Sequence, residues 1–130
     1  MESIKDKVAI IGMGANQNFG ELWEKDIDDI ILEAVNEAVK DARVTINDIQ
    51  AGWNGTAFSG GGLSLATPLQ TNFIPVTRTD NGDTSGADAV RSAAFAVVSK
   101  QYDLVIAAGF DKMKDRSQRR GGVESGSDEV

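Results

Sequence analysis

The stretch from Pro75 to Ala94 constrains the fold more than any other part of this chain. Pro75-Val76-Thr77-Arg78-Thr79 reads as a strand, Asn81-Gly82 as a tight turn, and the small side chains from Ser85 onward as a helix. An Asn-Gly pair favours the left-handed backbone that a sharp reversal needs. A strand turning directly into a helix presents its elbow residue at a helix N-terminus, where free N–H groups and the dipole favour negative charge. Elbows of this kind commonly carry a Cys or Ser nucleophile. Here the elbow residue is Asp83, so the architecture has the shape of a reactive site and an unusual residue at its tip.

The flanking segments set the fold class. Lys7 to Gly14 is a short apolar run that ends in glycines, the pattern of a buried strand entering a loop. After Asp26, the residues Ile27, Ile30, Ile31, Ala34, Val35, Ala38, Val39 and Ala42 recur at helical spacing and form one apolar face. Asp26, Asp28 and Asp29 stand at its start, where carboxylates meet free N–H groups.

Asn47-Asp48-Ile49 reads as a turn, and Ala51 to Ala57 as a second strand. Ser59-Gly60-Gly61-Gly62 reads as a flexible loop, and Leu63 to Leu69 as a short helix ended by Pro68. Ile74 to Arg78 is a third strand, with Pro75 suited to its start or to an edge. The helix from Ser85 to Lys100 carries apolar residues around much of its circumference, which predicts burial on most sides. Leu104 to Gly109 is a fourth buried strand. Strands alternating with helices imply an α/β sheet with right-handed crossovers. Residues 1–115 are expected to form one domain, and residues 116–130, polar and Ser/Gly-rich, a flexible tail.

Composition narrows the chemistry. The chain has 130 residues and a net charge of −7, which disfavours binding to a nucleic-acid phosphate backbone. No apolar run is long enough to span a bilayer, and no signal-peptide core follows the N-terminus, so a cytoplasmic location is expected. Cys and His are both absent. A Ser–His–Asp or Cys–His site and the usual zinc site therefore cannot be built from this chain. Acid–base work would fall to Asp, Glu, Lys or the single Tyr102.

Several segments in order resemble the N-terminal part of a thiolase. They are Val8-Ala9-Ile10-Ile11-Gly12-Met13-Gly14, Phe19-Gly20, Glu33-Ala34-Val35, Gly55-Thr56-Ala57, Pro75-Val76-Thr77-Arg78, Ser85-Gly86-Ala87-Asp88-Ala89 and Lys112-Met113-Lys114-Asp115. The branch they are most similar to is the lipid-transfer or sterol-carrier type, named acetyl-CoA acetyltransferase, and the resemblance runs from residue 5 to about 115.

It implies a thiolase-like fold, of which this chain would be one N-terminal βαβαβαβ half, usually assembled as dimers. It also implies acyl transfer on coenzyme A thioesters, with CoA as substrate and no resident cofactor or metal. The family's nucleophilic Cys would fall on Asp83, and its catalytic His and second Cys belong to a C-terminal half. The expectation is therefore a domain that is inactive by itself. A non-catalytic partner subunit for a thiolase is the alternative. A third reading is a thiolase-like aldolase or decarboxylase that uses Asp83 or Tyr102 on a CoA ester. Self-association is expected through the Ile74–Arg78 strand and the small-residue helix.

Each candidate residue also has a plainer role. Asp83 is read as the N-cap of its helix, because a carboxylate held by N–H groups is a poor base. Ser85 has no His to activate it and is read as a capping residue. Gly12-Met13-Gly14 lacks the third glycine of a dinucleotide fingerprint, since that position is Gln17, and is read as a glycine-permitted turn. Lys112, Lys114, Arg116, Arg119 and Arg120 are read as a solvated basic segment in preference to a CoA phosphate site. Trp53 is read as core or interface.

Overall fold

The computed structural model describes residues 2–57, 65–71 and 73–113. The glycine loop, the start of the short helix and the tail expected at 116–130 lie outside these residues.

Helix α1 (Ile27–Ala42) follows its periodicity to the residue. Asp26 accepts from the Asp29 N–H, and the Asp29 side chain accepts in turn from the Asp26 N–H, a reciprocal capping box. Arg43 closes the other end in the left-handed conformation. A single 3-10 turn (Ile46–Asp48) leads into β1 (Ala51–Gly55). Helix α2 (Ala66–Leu69), β2 (Val76–Thr79), α3 (Ser85–Val98) and β3 (Val105–Gly109) complete the order. The three strands are parallel in the order β2-β1-β3, so the chain steps from β1 outward to β2 and then crosses back to the far side.

Register assigns the two faces of the sheet. A Cβ on Gly52 would meet Leu65, Ile106 and Val76, and Gly52 pairs with Val76 and Ile106. These positions face the core formed by Ile31 and Val35 of α1 with Leu65 and Leu69. The alternate residues of β1 face α3, because a Cβ on Gly55 would lie 2.3 Å from the Ser85 carbonyl. Trp53 shares this second face and meets Tyr102 edge-on at 6.3 Å, an aromatic packing contact at the sheet.

Two expectations fail here. The apolar run at 7–14 does not join the sheet. It lies on α1, with Ile10, Ile11 and Met13 between 53% and 74% exposed. The N–H groups of Met13, Ala15 and Gln17 donate to Asp41, Glu37 and Glu33 respectively. Alternate residues of an extended chain advance about 6.6 Å, close to the 6 Å between helix residues four apart, so the two ladders match. Gly12 and Gly14 are required by this contact and not by a turn: a Cβ on either would come within 2.4 Å of an α1 carbonyl. The Lys25 ammonium, 2.6 Å from Glu33, holds that carboxyl below its usual range, with Asn16 and the Gln17 N–H adding to the effect.

The second failure is α3, which is not buried on most sides. Only Ser85, Ala89 and Ala93 are buried, a single stripe toward the sheet, and Val90 and Phe95 are about half exposed.

One core position is unfavourable. Asn54 is fully buried, and neither its Oδ1 nor its Nδ2 has a hydrogen-bond partner among the described residues. It lies in register with Ala108 and Arg78, on the face toward α1 and α2. Leaving a buried amide unpaired costs on the order of 1–3 kcal/mol, whereas an apolar side chain of similar size has no such penalty. Asn54→Val should therefore raise the denaturant midpoint. An unchanged or lowered midpoint would mean that the amide is satisfied, for instance by an ordered water.

Candidate functional site

In an open parallel sheet the crevice for ligands lies beyond the carboxyl ends of the strands, where the strand order reverses. This chain reverses at β1, and a cleft of about 430 Å³ opens there. Its walls come from three loops: Gly55-Thr56-Ala57 after β1, Gly82, Asp83, Ser85 and Gly86 around the elbow, and Gly109, Phe110, Asp111 and Met113 after β3.

Close approach builds the floor. The Gly55 position sits against the first turn of α3, with Ser85 carbonyl atoms at 2.3 Å and the Gly86 N at 2.5 Å from where a Cβ would stand. A Cβ on Gly109 would be 3.6 Å from the Gly86 Cα and from the Gly55 carbonyl oxygen. The Phe110 N–H donates to that oxygen at 3.2 Å. Any side chain at Gly55 would push the start of α3 away from the strand ends.

The elbow is held by hydroxyls. Gly82 takes a left-handed φ of 55°. The Ser85 Oγ donates to the Gly82 carbonyl at 2.7 Å and accepts from the Asn81 N–H at 2.8 Å. Thr84 donates to the Asn81 carbonyl, and Thr79 donates to the Ser85 carbonyl at 2.9 Å. Ser85 is thus neither a nucleophile nor a cap of helix N–H groups. It is the buried pin of the turn.

Asp83 sits at the cleft but does not cap α3. The N-cap is Thr84, whose side chain makes no capping bond because its hydroxyl is committed to Asn81. The left-handed Gly82 and the Ser85 pin carry the chain through position 83 before the helix begins, which leaves Asp83 exposed at the rim. The N–H groups of Gly86 and Ala87 have no acceptor among the described residues. They lie at the positive end of the α3 dipole.

Opposite the elbow, Asp111 is fixed by the Thr56 hydroxyl at 2.8 Å and the Ala57 N–H at 3.0 Å. The sequence reading had not singled out Asp111. Its signal was faint, a carboxylate two residues after the last strand. Arg78 reaches the Thr56 carbonyl from β2, which ties that wall to the elbow strand. Lys112 is not among the residues lining the cleft and donates to the Lys25 carbonyl; the basic residues at 114–120 lie outside the described region. Tyr102 packs on Trp53 and is not among the residues lining the cleft. No group of His, Cys, Asp and Glu suited to a metal ion occurs among the described residues.

A glycine-floored cleft at the carboxyl ends of parallel strands, with a strand–turn–helix elbow at its rim, is the site of an open parallel α/β fold. Comparison with known proteins agrees. The chain is 35% identical over 129 residues to the acetyl-CoA acetyltransferases of Methanothermobacter thermautotrophicus and Methanocaldococcus jannaschii, covering 94% of its own length and 33% of theirs. It is 29% identical over 117 residues to the non-specific lipid-transfer protein-like 2 of Caenorhabditis elegans, or 28% of that protein. Among solved structures, the 3-oxoacyl-[acyl-carrier-protein] synthase III of Aquifex aeolicus VF5 superposes with a TM-score of 0.52 at 15% identity, covering 59% of this chain and 27% of that one. No family model matches. The chain is similar along nearly its whole length to acetyl-CoA acetyltransferases of the thiolase superfamily, and it spans about a third of the length of the curated relatives it matches.

The site geometry separates the roles of Ser85 and Asp83. Ser85→Ala removes two part-buried hydrogen bonds and should lower stability by about 1–3 kcal/mol. Asp83→Ala removes no cap and should stay within about 0.5 kcal/mol of the parent. Denaturant melts of both variants check this. A larger loss for Asp83→Ala would restore the capping role.

Proposed function

We propose that this chain is an acyl-CoA-handling domain corresponding to the N-terminal part of a thiolase-type acyltransferase, and that it does not complete acyl transfer by itself. The observation that carries the reading is Asp83 at the rim of the strand-end cleft, beside the free N–H groups of α3. This is the position to which the family resemblance assigns the thiol nucleophile. The α3 N-terminus suits an anion or a polarised carbonyl oxygen. A carboxylate beside it competes for the same N–H groups, and an acyl–carboxylate anhydride would hydrolyse far more readily than a thioester.

The chain also holds no His to act as base on a second substrate. A cytoplasmic setting and a dimeric assembly through the β2 edge are part of the same proposal.

A second reading has its own support. Val90 and Phe95 stand about half exposed on the two flanks of α3, apolar surface that a subunit docking on a complete thiolase could cover. Aldol cleavage or decarboxylation of a CoA ester is the less favoured chemistry. Tyr102 stands away from the cleft, and Asp111 is already engaged by Thr56 and Ala57.

Incubation with acetoacetyl-CoA and free CoA tests the main reading. No thiolysis above background is expected. Asp83→Cys should give a thiol that alkylates faster at neutral pH than a Lys40→Cys thiol at the C-terminal end of α1, because opposite helix ends shift a thiol pKa in opposite directions. Turnover by the parent chain that survives repurification would overturn the inactivity. Equal alkylation rates would overturn the placement of Asp83 at the family's nucleophile position.

A further inference from the structure

We infer that Asn81 is a site of spontaneous deamidation, a self-modification that the fold directs to one of two chemically equivalent positions. The inference does not rest on the acyl-CoA reading. The chain contains two Asn-Gly pairs, Asn54-Gly55 and Asn81-Gly82. In such a pair the glycine nitrogen, with no Cβ to shield it, attacks the side-chain carbonyl carbon of the asparagine. The new N–Cγ bond closes a five-membered imide. The Cγ–Nδ2 bond breaks, and ammonia leaves with the proton from the glycine nitrogen. Water then opens the imide and a proton returns to that nitrogen. Opening at Cγ leaves an aspartate. Opening at the main-chain carbonyl leaves an isoaspartate, whose backbone runs through Cβ and Cγ. Water is the sole co-reactant.

The structure treats the two pairs oppositely. Asn54 is fully buried on β1, the central strand, and Gly55 pairs in register with Thr79 on one side and Gly109 on the other. A Cβ on Gly55 would lie 2.3 Å from the Ser85 carbonyl. The side chain there has no access to solvent water, and the backbone is held along both edges.

Asn81 is exposed. The elbow's hydrogen bonds hold its main chain and that of Gly82. The Ser85 Oγ accepts from the Asn81 N–H at 2.8 Å. The Thr84 N–H and hydroxyl donate to the Asn81 carbonyl at 3.1 and 2.8 Å. The Ser85 N–H and hydroxyl donate to the Gly82 carbonyl at 3.2 and 2.7 Å. Among the described residues, no hydrogen bond engages the Asn81 side chain or the Gly82 N–H, and a Cβ on Gly82 would meet nothing within 4 Å. The two groups that must react are the two that the elbow leaves free.

Modification undoes the elbow that permits it. In the isoaspartate the carbonyl that Thr84 holds becomes a carboxylate off the main chain, and the link to Gly82 gains a carbon. Either product adds an anion between the exposed Asp80 and Asp83, at the rim of the cleft. The change is one-way in both charge and length.

Incubating the full chain at mildly alkaline pH, with and without guanidinium chloride, tests this. Trypsin releases residues 79–91, where Asn81 is the only amide side chain, and residues 44–78, which carry Asn54. Mass spectrometry of the two peptides follows the replacement of the amide by a carboxyl. In the native chain Asn81 should convert more than about tenfold faster than Asn54, whose reaction must await opening of the central strand. In denaturant the two rates should converge. Asn81→Gln, an exposed change, should fold as the parent does and show no conversion in residues 79–91. A native chain that keeps its Asn81 amide while the denatured chain loses it would overturn the inference. So would equal native rates at the two sites, or a preference for Asn81 that persists undiminished in denaturant and therefore owes nothing to the fold.

Discussion

The structure depends on one steric contact, the seating of the α3 start directly on the ends of β1 and β3. Gly55, Gly86 and Gly109 meet there without side chains, and the Ser85 carbonyl lies where any Cβ on Gly55 would have to be. Everything that makes a cleft follows from that approach. The helix N-terminus is brought level with the strand ends, the elbow from Asn81 to Thr84 is lifted over them, and the loop after β3 is left to form the far wall. Hydroxyl groups then lock the elbow, with Ser85 bridging Asn81 and Gly82, and Thr79 reaching the Ser85 carbonyl. The glycines are therefore positional requirements of the site, and their conformational freedom matters at only one elbow position, Gly82.

Much of this was legible from the residues. The α1 helix declared itself because its apolar spacing and its capping carboxylates give the same boundaries, and the observed span is Ile27–Ala42. The elbow was legible because an Asn-Gly pair stands between a β-branched run and a run of alanines. The three sheet strands appeared within two residues of their expected limits.

What the sequence concealed was non-local. Lys7 to Gly14 has the composition of an interior strand, but composition does not say whether a partner strand is present. Here its end and the residues that follow, Met13, Ala15 and Gln17, instead donate alternate N–H groups to the carboxylates Asp41, Glu37 and Glu33 of α1. The same limit explains α3. Its all-round apolarity was correctly read, yet the described fold covers one side of it. Asp83 failed as a cap for a more local reason. A residue two positions before the helix can cap it only if the turn delivers it to the N-cap, and the left-handed Gly82 with the Ser85 pin delivers Thr84 instead. Neither the pin nor the engagement of Asp111 by Thr56 and Ala57 has a sequence signature, because both join residues whose proximity exists only after the sheet forms.

The electrostatics of the cleft follow from these placements and set limits on its chemistry. The free N–H groups of Gly86 and Ala87 make its helix end positive, while Asp83 and Asp111 bring two carboxylates to the walls. Asp111 accepts from the Thr56 hydroxyl and the Ala57 N–H, which fix its carboxylate against the β1 loop. Asp83 is exposed at the rim of the cleft. A negative group arriving at the helix end would meet attraction from the dipole and repulsion from two fixed anions within one cleft. Neutral or locally polarised groups, such as a thioester carbonyl, avoid that repulsion and still gain the N–H contacts. On the acyl-CoA reading proposed above, such a cleft suits holding an acyl carbonyl more than attacking it, because a carboxylate stands beside the dipole and the chain has no imidazole to relay a proton.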